Sequence, residues 1–325
     1  MIDDFAKLKK NNFWDNNYPA VGYIRENYLN KINDFIGNKL IKVLVGQRRV
    51  GKSYLLRQII LGLIDGGVKP KNIFYLNKES TDFDYITNCT ELENLIINYK
   101  QKLKPRGKIY LFIDEVQRIT GWEHIINSYS QNYTDTYEIF ISGSNSQLLS
   151  GELASLLSGR YIKFQIFPFN YLEYIAIKQL DNTKNRFLQY LQTGGLPELF
   201  HLPNDETKRH YLSAIKDTVL LRDIIQRYNI KDARLLEDIF SFLVNNASNL
   251  ISISSIVKYF AGKNRKTNYE TIANYIEYFK NTFLIHQVER FSIKGKEILS
   301  GPNKYYINDL SFKNYLYSGF EYGFG

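Results

Sequence analysis

The segment Gly46-Gln47-Arg48-Arg49-Val50-Gly51-Lys52-Ser53 sets two glycines, a lysine and a hydroxyl at a spacing suited to gripping a polyphosphate. The glycines let backbone amides wrap phosphate oxygens, and a helix opening at Lys52 turns its positive end toward them. In this reading Lys52 reaches the β and γ phosphates, Ser53 ligates magnesium through its hydroxyl, and residues 46–54, through Tyr54, form the nucleotide-contacting segment. The flanks agree with it: the apolar run IKVLV precedes the loop and SYLLRQIILGLI follows with helical character.

A second apolar run, residues 109–113, delivers Asp114 and Glu115 to a strand end. Asp114 is placed to hold the magnesium through water, and a carboxylate immediately after it is suited to act as general base on an attacking water. Ser142-Gly143-Ser144-Asn145 ends the next strand, where Asn145 or Ser144 is the candidate for sensing the γ phosphate or holding the lytic water. Arg160, just before the last strand, supplies either transition-state charge as an arginine finger or an ordinary complement to a helix C-terminus. Guanine readers use an Asn-Lys-x-Asp element. The nearest match, Asn77-Lys78-Glu79-Ser80, lacks the Asp, so ATP rather than GTP is the expected nucleotide, bound at least tenfold more tightly.

Strands must carry these groups. KLIKVLV, NIFYLN, KIYLFID, YEIFISG and YIKFQIF alternate with helical stretches, and strands apolar throughout suit a parallel sheet covered on both faces. The pattern predicts an α/β fold: an αβα core of the P-loop NTPase type with a parallel, additive-strand sheet over residues 1–167. Helical periodicity over residues 168–249, with Tyr211, Ile215, Val219 and Leu220 on one face, predicts a helical lid. Residues 250–325 read as two helices joined by AGKNRKT, the second opened by a capping box from Thr267 to Glu270. Strand-like HQVERFSI and NKYYIND then bracket the polar turn KGKEILSGP, completing a winged helix. Ile272, Ile276, Phe279 and Phe283 recur at helical spacing and face its core, which leaves Asn268, Thr271, Asn274 and Tyr278 for a nucleic-acid groove and Lys263, Arg265 and Lys266 in the turn for phosphates.

The chain has 325 residues, 44% hydrophobic and 23% charged, which suits a folded protein of two or three domains rather than a disordered one. One cysteine permits no internal disulfide, and neither a signal peptide nor a membrane span is read, so the cytoplasm is the expected compartment. The net charge of +9 favours polyanionic partners and is equally compatible with a merely soluble surface.

Together GQRRVGKS, FIDEVQRITGWE, ISGSNSQLLSGELASLLSGR, FPFNYLEY and TGGLPELF resemble a prokaryotic family of AAA-type ATPases, the archaeal-ATPase and STAND-like group whose C-terminal half is a domain of unknown function. The resemblance covers nearly the whole chain and implies Mg-dependent ATP hydrolysis. It also implies that Gly195-Leu196-Pro197 approaches the nucleotide from the lid, although Gly194-Gly195 before Pro is equally a helix stop. Asn170 stands where the family more often has Ser. The family's chain usually continues into a part resembling restriction endonucleases, whereas this sequence stops at YSGFEYGFG without a visible nuclease constellation, and no nuclease activity is expected. The function so implied is an ATP-hydrolysing switch or remodeller coupled to a winged helix that contacts DNA or RNA. The alternative is a nucleotide-locked signalling or protein-interaction module with negligible turnover. If Arg160 works across a subunit boundary the active form is an oligomer; if within the chain, a monomer suffices.

Overall fold

A computed structural model describes residues 4–16, 18–132, 136–149, 157, 159–289 and 302–317. They form two compact units: Met1–Gly46 with Gly51–Ile166, and Gln47–Val50 with Phe167–Gly325. Part of SGELASLLSGR, the turn KGKEILSGP except Pro302, and the terminus SGFEYGFG lie outside the described residues.

The first unit is built on a five-stranded sheet. Its strands are β1 (Ile41–Val45), β2 (Ile73–Asn77), β3 (Ile109–Asp114), β4 (Tyr137–Gly143) and β5 (Tyr161–Gln165), in the order β2-β3-β4-β1-β5. Every pairing is parallel, and each strand falls within one of the five apolar runs read from the sequence. The strand β4 stands between β1 and β3, the added strand that the sequence reading requires. Helices α1 (Asp4–Asn11), α2 (Glu26–Asn33), α3 (Lys52–Asp65), α4 (Cys89–Leu103) and α5 (Trp122–Ser130) complete the unit. Burial on both faces explains the unbroken apolar runs: every residue of β1 is buried, including Lys42.

Two features of this unit escaped periodicity. Residues 12–14 close the edge strand β2, because Asn12 Nδ2 donates to Tyr75 O at 2.9 Å while Tyr75 N donates to Asn12 Oδ1 at 2.7 Å. Trp14 Nε1 donates to Ile73 O at 2.9 Å, so side chains satisfy an edge that would otherwise be open to another chain. The second is a charge cluster at the N-terminal end of the sheet. Glu138 of β4 is fully buried and accepts from Lys42 Nζ, from Lys108 Nζ at 3.0 Å and from Gly37 N at 3.0 Å. Burial lowers the Lys42 pKa and the Glu138 hydrogen bond opposes that shift. Glu138→Ala strands Lys42 without its counter-charge and is expected to destabilise the fold by about 3 kcal/mol or more. Chemical denaturation checks this, and a loss under about 1 kcal/mol would show that the cluster is solvated.

The second unit is largely helical: α6 (Tyr171–Lys178), α7 (Lys184–Thr193), α8 (Asp205–Asp217), α9 (Ala233–Asn245), α10 (Ile253–Gly262), α11 (Tyr269–Asn281) and α12 (Ser311–Leu316). A three-stranded antiparallel sheet joins them, β6 (Leu250–Ile251), β7 (Ile285–Val288) and β8 (Asn303–Ile307) in the order β6-β8-β7. Ile215 and Val219 are buried as the periodicity predicts. However, the chain from Thr218 to Ile225 winds as a π-helix rather than continuing α, and the Leu220 side chain lies outside the described ones.

The start of α11 also differs from expectation. Asn268, not Thr267, caps the helix, its side chain accepting from Thr271 N at 2.8 Å, and the buried Thr267 hydroxyl has no hydrogen-bond partner among the described residues. An Asn one position further on caps as well as Thr does, so spacing alone could not choose between them. Ile272, Ile276, Phe279 and Phe283 are buried, as their spacing predicts. Among the described residues no helix is long and apolar enough to cross a membrane.

Candidate nucleotide site

Parallel registry decides what meets at the C-terminal edge of the sheet. Val45 lies opposite Gly143, and Asn77 opposite Asp114. The loop after β1, the acids ending β3 and the Ser142-Gly143-Ser144-Asn145 turn therefore emerge at the same edge, the usual ligand edge of an open parallel sheet.

The loop turns into α3 through Gly51, whose φ of +93° places it in the left-handed region that glycine tolerates. Lys52 is buried, and its Nζ donates to Gly46 O at 3.0 Å while lying 3.4 Å from Glu115 Oε1. Tyr54, two residues further along the helix, is exposed, with its ring against Gly22, where an added Cβ would stand 3.0 Å from it. The middle of the loop belongs to the second compact unit. There Asn308 Nδ2 donates to Gln47 Oε1 at 2.6 Å, and Arg48 Nε lies 2.7 Å from Oδ2 of the buried Asp223 on the π-helix. Arg49 has a φ of +69°, uncommon for a residue with a side chain, and Val50 is fully buried.

Asp114 is fully buried. Ser142 Oγ donates to its Oδ1, Tyr75 OH donates to its Oδ2 at 3.2 Å, and the Ser53 hydroxyl is also hydrogen-bonded to it. Burial raises the Asp114 pKa, and the neighbouring Glu115 charge adds to the shift. The same acid, after burial itself, helps push the Tyr75 phenol well above its ordinary value. A buried carboxylate joined to a hydroxyl at the first turn of the helix, beside a second acid, is a hard oxygen donor set that suits a divalent cation such as Mg2+. Ser53 and Asp114 are the residues that would hold it.

Glu115 adopts a left-handed φ of +55° and its amide donates to Ser142 Oγ at 3.1 Å. Its carboxylate is buried beneath three donors: Lys52, Ser144 Oγ at 2.9 Å and Gln117 Nε2 at 2.5 Å. Of the two sensor candidates, Ser144 bonds the acid directly, and Asn145 is buried.

One predicted site residue of the first unit, Arg160, is not drawn to this cluster. Arg160 O accepts from Ile41 N at the start of β1, so about 16 Å of strand separates it from the loop after Val45. Its guanidinium donates to Asn127 Oδ1 at 3.1 Å. Gly195 and Pro197 lie in the second unit, where the glycines are closely packed. Gly195 N donates to the buried Asp309 at 2.7 Å and Gly195 O accepts from Phe169 N at 2.7 Å. A Cβ on Gly195 would lie 2.1 Å from Phe169 O, and one on Gly194, at φ +81°, 2.1 Å from Asp309 Oδ1. Sequence reasoning named Ser142 only as part of its turn and missed Tyr75 and Gln117 at the site. Gln117 alone left a signal, standing two residues beyond Glu115.

Residues 38–175 match the family described as AAA domain, and residues 184–321 match one described as Domain of unknown function (DUF8612). An uncharacterized protein of Haemophilus influenzae is 35% identical over 290 residues, 88% of this chain and 71% of that protein. The uncharacterized protein MJ1544 of Methanocaldococcus jannaschii is 33% identical over 286 residues, 84% of this chain and 61% of that one, so the chain spans about three-fifths of it. Among solved structures, the Aeropyrum pernix ORC1 protein in complex with DNA aligns at 13% identity and a TM-score of 0.37, covering 93% of this chain and 94% of that one. AMPPCP-bound DnaA from Aquifex aeolicus aligns at 17% identity and a TM-score of 0.38, covering 82% and 90%. By the matches along both halves and the Haemophilus relative, the chain belongs to the family of AAA-type proteins that pair an AAA domain with this C-terminal domain of unknown function.

Proposed function

We propose that the chain binds ATP with Mg2+ and hydrolyses it, working as a nucleotide-driven switch or remodeller. The observation that carries this reading is the meeting of Lys52, Asp114 and Glu115 at one sheet edge, with Ser53 bonded to Asp114. Bound Mg2+ would neutralise charge on the phosphates. Lys52 leaves Glu115 for the β and γ phosphates, and the vacated carboxylate oxygen takes a proton from water as the water oxygen attacks the γ phosphorus. The bond to the bridging oxygen breaks, and ADP departs with its electron pair. Arg160 sits at the far end of β1 from the loop with its guanidinium on Asn127, so an arginine-finger role for it would be in the site of a second copy.

The element order α9, β6, α10, α11, β7, β8 supports a winged helix at residues 250–325, with residues 168–249 as a lid. Its expected role in docking nucleic acid needs revision. Arg265 does not stand free for phosphates, because its guanidinium pairs with Asp238 and, at 3.1 Å, with Asp232. Asn268 caps α11 and Tyr278 stacks on Tyr228, so neither is offered to a groove. Lys263 and Lys266 remain as candidate phosphate contacts, Lys263 lying over the Tyr259 ring.

The test is Mg-dependent ATP turnover with and without duplex DNA, together with DNA affinity against salt. Lys263→Ala with Lys266→Ala is expected to flatten the log–log salt slope by roughly 1.8, about 0.9 per phosphate contact, and to leave DNA-free turnover unchanged. Absence of salt-sensitive DNA or RNA binding near 50 mM salt by the wild type would make the domain a protein-interaction element. The second reading, a nucleotide-locked module with negligible turnover, draws support from Glu115, whose carboxylate is already engaged by three donors.

A further inference from the structure

Glu115 is held unevenly. Both neutral donors act on one oxygen, since Gln117 Nε2 and Ser144 Oγ lie 2.5 and 2.9 Å from Oε2. The cation stands on the other, with Lys52 Nζ 3.4 Å from Oε1. Gln117 in turn lies 3.3 Å from Ser144 Oγ, so amide, hydroxyl and carboxylate form a closed triangle. The approach is built in. A Cβ on Gly143 would come within 2.6 Å of Gln117 Oε1 and 2.7 Å of Leu148 Cδ1, so glycine at the end of β4 makes room for the amide. Gln117 Oε1 is buried with no hydrogen-bond partner among the described residues, and an acceptor left unsatisfied in this way costs stability. A side chain kept there merely for packing would not need an amide.

We infer that Gln117 is a positioning residue that, with Ser144, anchors Glu115 by Oε2 so that Oε1 is the oxygen Lys52 uncovers when it moves to the phosphates. The inference rests on the hydrolytic reading of the same site. Arrival of the substrate and exposure of the base become one event, because a single ammonium serves both. Gln117 does not touch the nucleotide; it fixes the direction in which Glu115 takes the proton. Loss of the amide removes one of the two donors on Oε2 and leaves the carboxylate free to rotate.

The experiment uses the full chain with Gln117→Met, which retains length and volume without a donor, and Gln117→Ala as a second variant. Binding of Mg–AMPPCP, the unfolding midpoint, and kcat and KM for ATP are measured for each. The expected result is a kcat at least about tenfold lower with analogue affinity and KM within about twofold of wild type. A kcat equal to or above wild type, or a loss of analogue binding in a folded Gln117→Met protein, overturns the assignment while ATP hydrolysis by the wild type stands. If the wild type itself binds the analogue but turns over no ATP, the hydrolytic reading falls, and the role of Gln117 falls with it.

Discussion

Glu115→Gln is expected to cut ATP turnover by about a hundredfold or more while ATP and magnesium still bind, the scale of a lost general base. The exchange keeps the shape of the side chain and removes its basicity. The amide that replaces the carboxylate retains a carbonyl oxygen to accept from Ser144 or Gln117, so the pocket should hold its form, and Asp114 remains to serve the cation. Lys52 loses its ion pair and becomes freer to meet phosphates, so the dissociation constant for ATP should stay level or fall. Phosphate release under saturating ATP, beside a calorimetric titration, measures both. Wild-type turnover in a variant that binds ATP would reduce Glu115 to a structural acid and favour the nucleotide-locked module.

Lys52→Ala is the complementary loss. Removing the ammonium takes away a charge-assisted hydrogen bond to phosphate, on the order of 3 kcal/mol, which corresponds to roughly a hundredfold in affinity. A second effect follows in the ligand-free protein. Lys52 is the cation paired with Glu115, and Asp114 lies alongside with a pKa already raised by burial and by that same neighbour. Without Lys52 the two acids face each other with less compensating charge, so the apo protein should be less stable at neutral pH than the wild type. The sign of the pH dependence follows. A carboxyl whose folded pKa lies above its unfolded value favours folding below the unfolded value and loses that contribution as pH rises through the folded one. The deficit of the variant should therefore shrink as pH is lowered toward the carboxylate range. Unchanged ATP affinity in a folded variant would remove the phosphate-binding role of the loop.

The chemistry at the sheet edge was legible because it is local. A glycine loop between a strand and a helix, and an Asp-Glu pair ending an apolar strand, are spacings of a few residues whose geometry the backbone fixes by itself. Four buried strands were legible for the same reason: a parallel strand covered on both faces has no polar alternation to hide it, while the edge strand β5, only half-buried, was read from its neighbours' pattern. The C-terminal elements also followed from periodicity, with Ile272, Ile276, Phe279 and Phe283 buried as their spacing implied.

Contacts between residues distant in sequence were decided only by the tertiary structure. Gln117 and Ser144 are 27 residues apart, Tyr75 and Asp114 are 39, and these meetings depend on which strands are neighbours, here β4 inserted beside β3. The fate of the basic residues was hidden likewise. Arg265 resembled its neighbours Lys263 and Lys266 in sequence, but a planar guanidinium can bridge Asp232 and Asp238 at once, and those acids lie more than twenty positions upstream. Arg160 and the loop lie at opposite ends of the sheet because β1 and β5 run parallel, so the start of one strand is always far from the end of the other. Local pattern therefore determined which groups could do chemistry, and strand order and direction determined which of them meet.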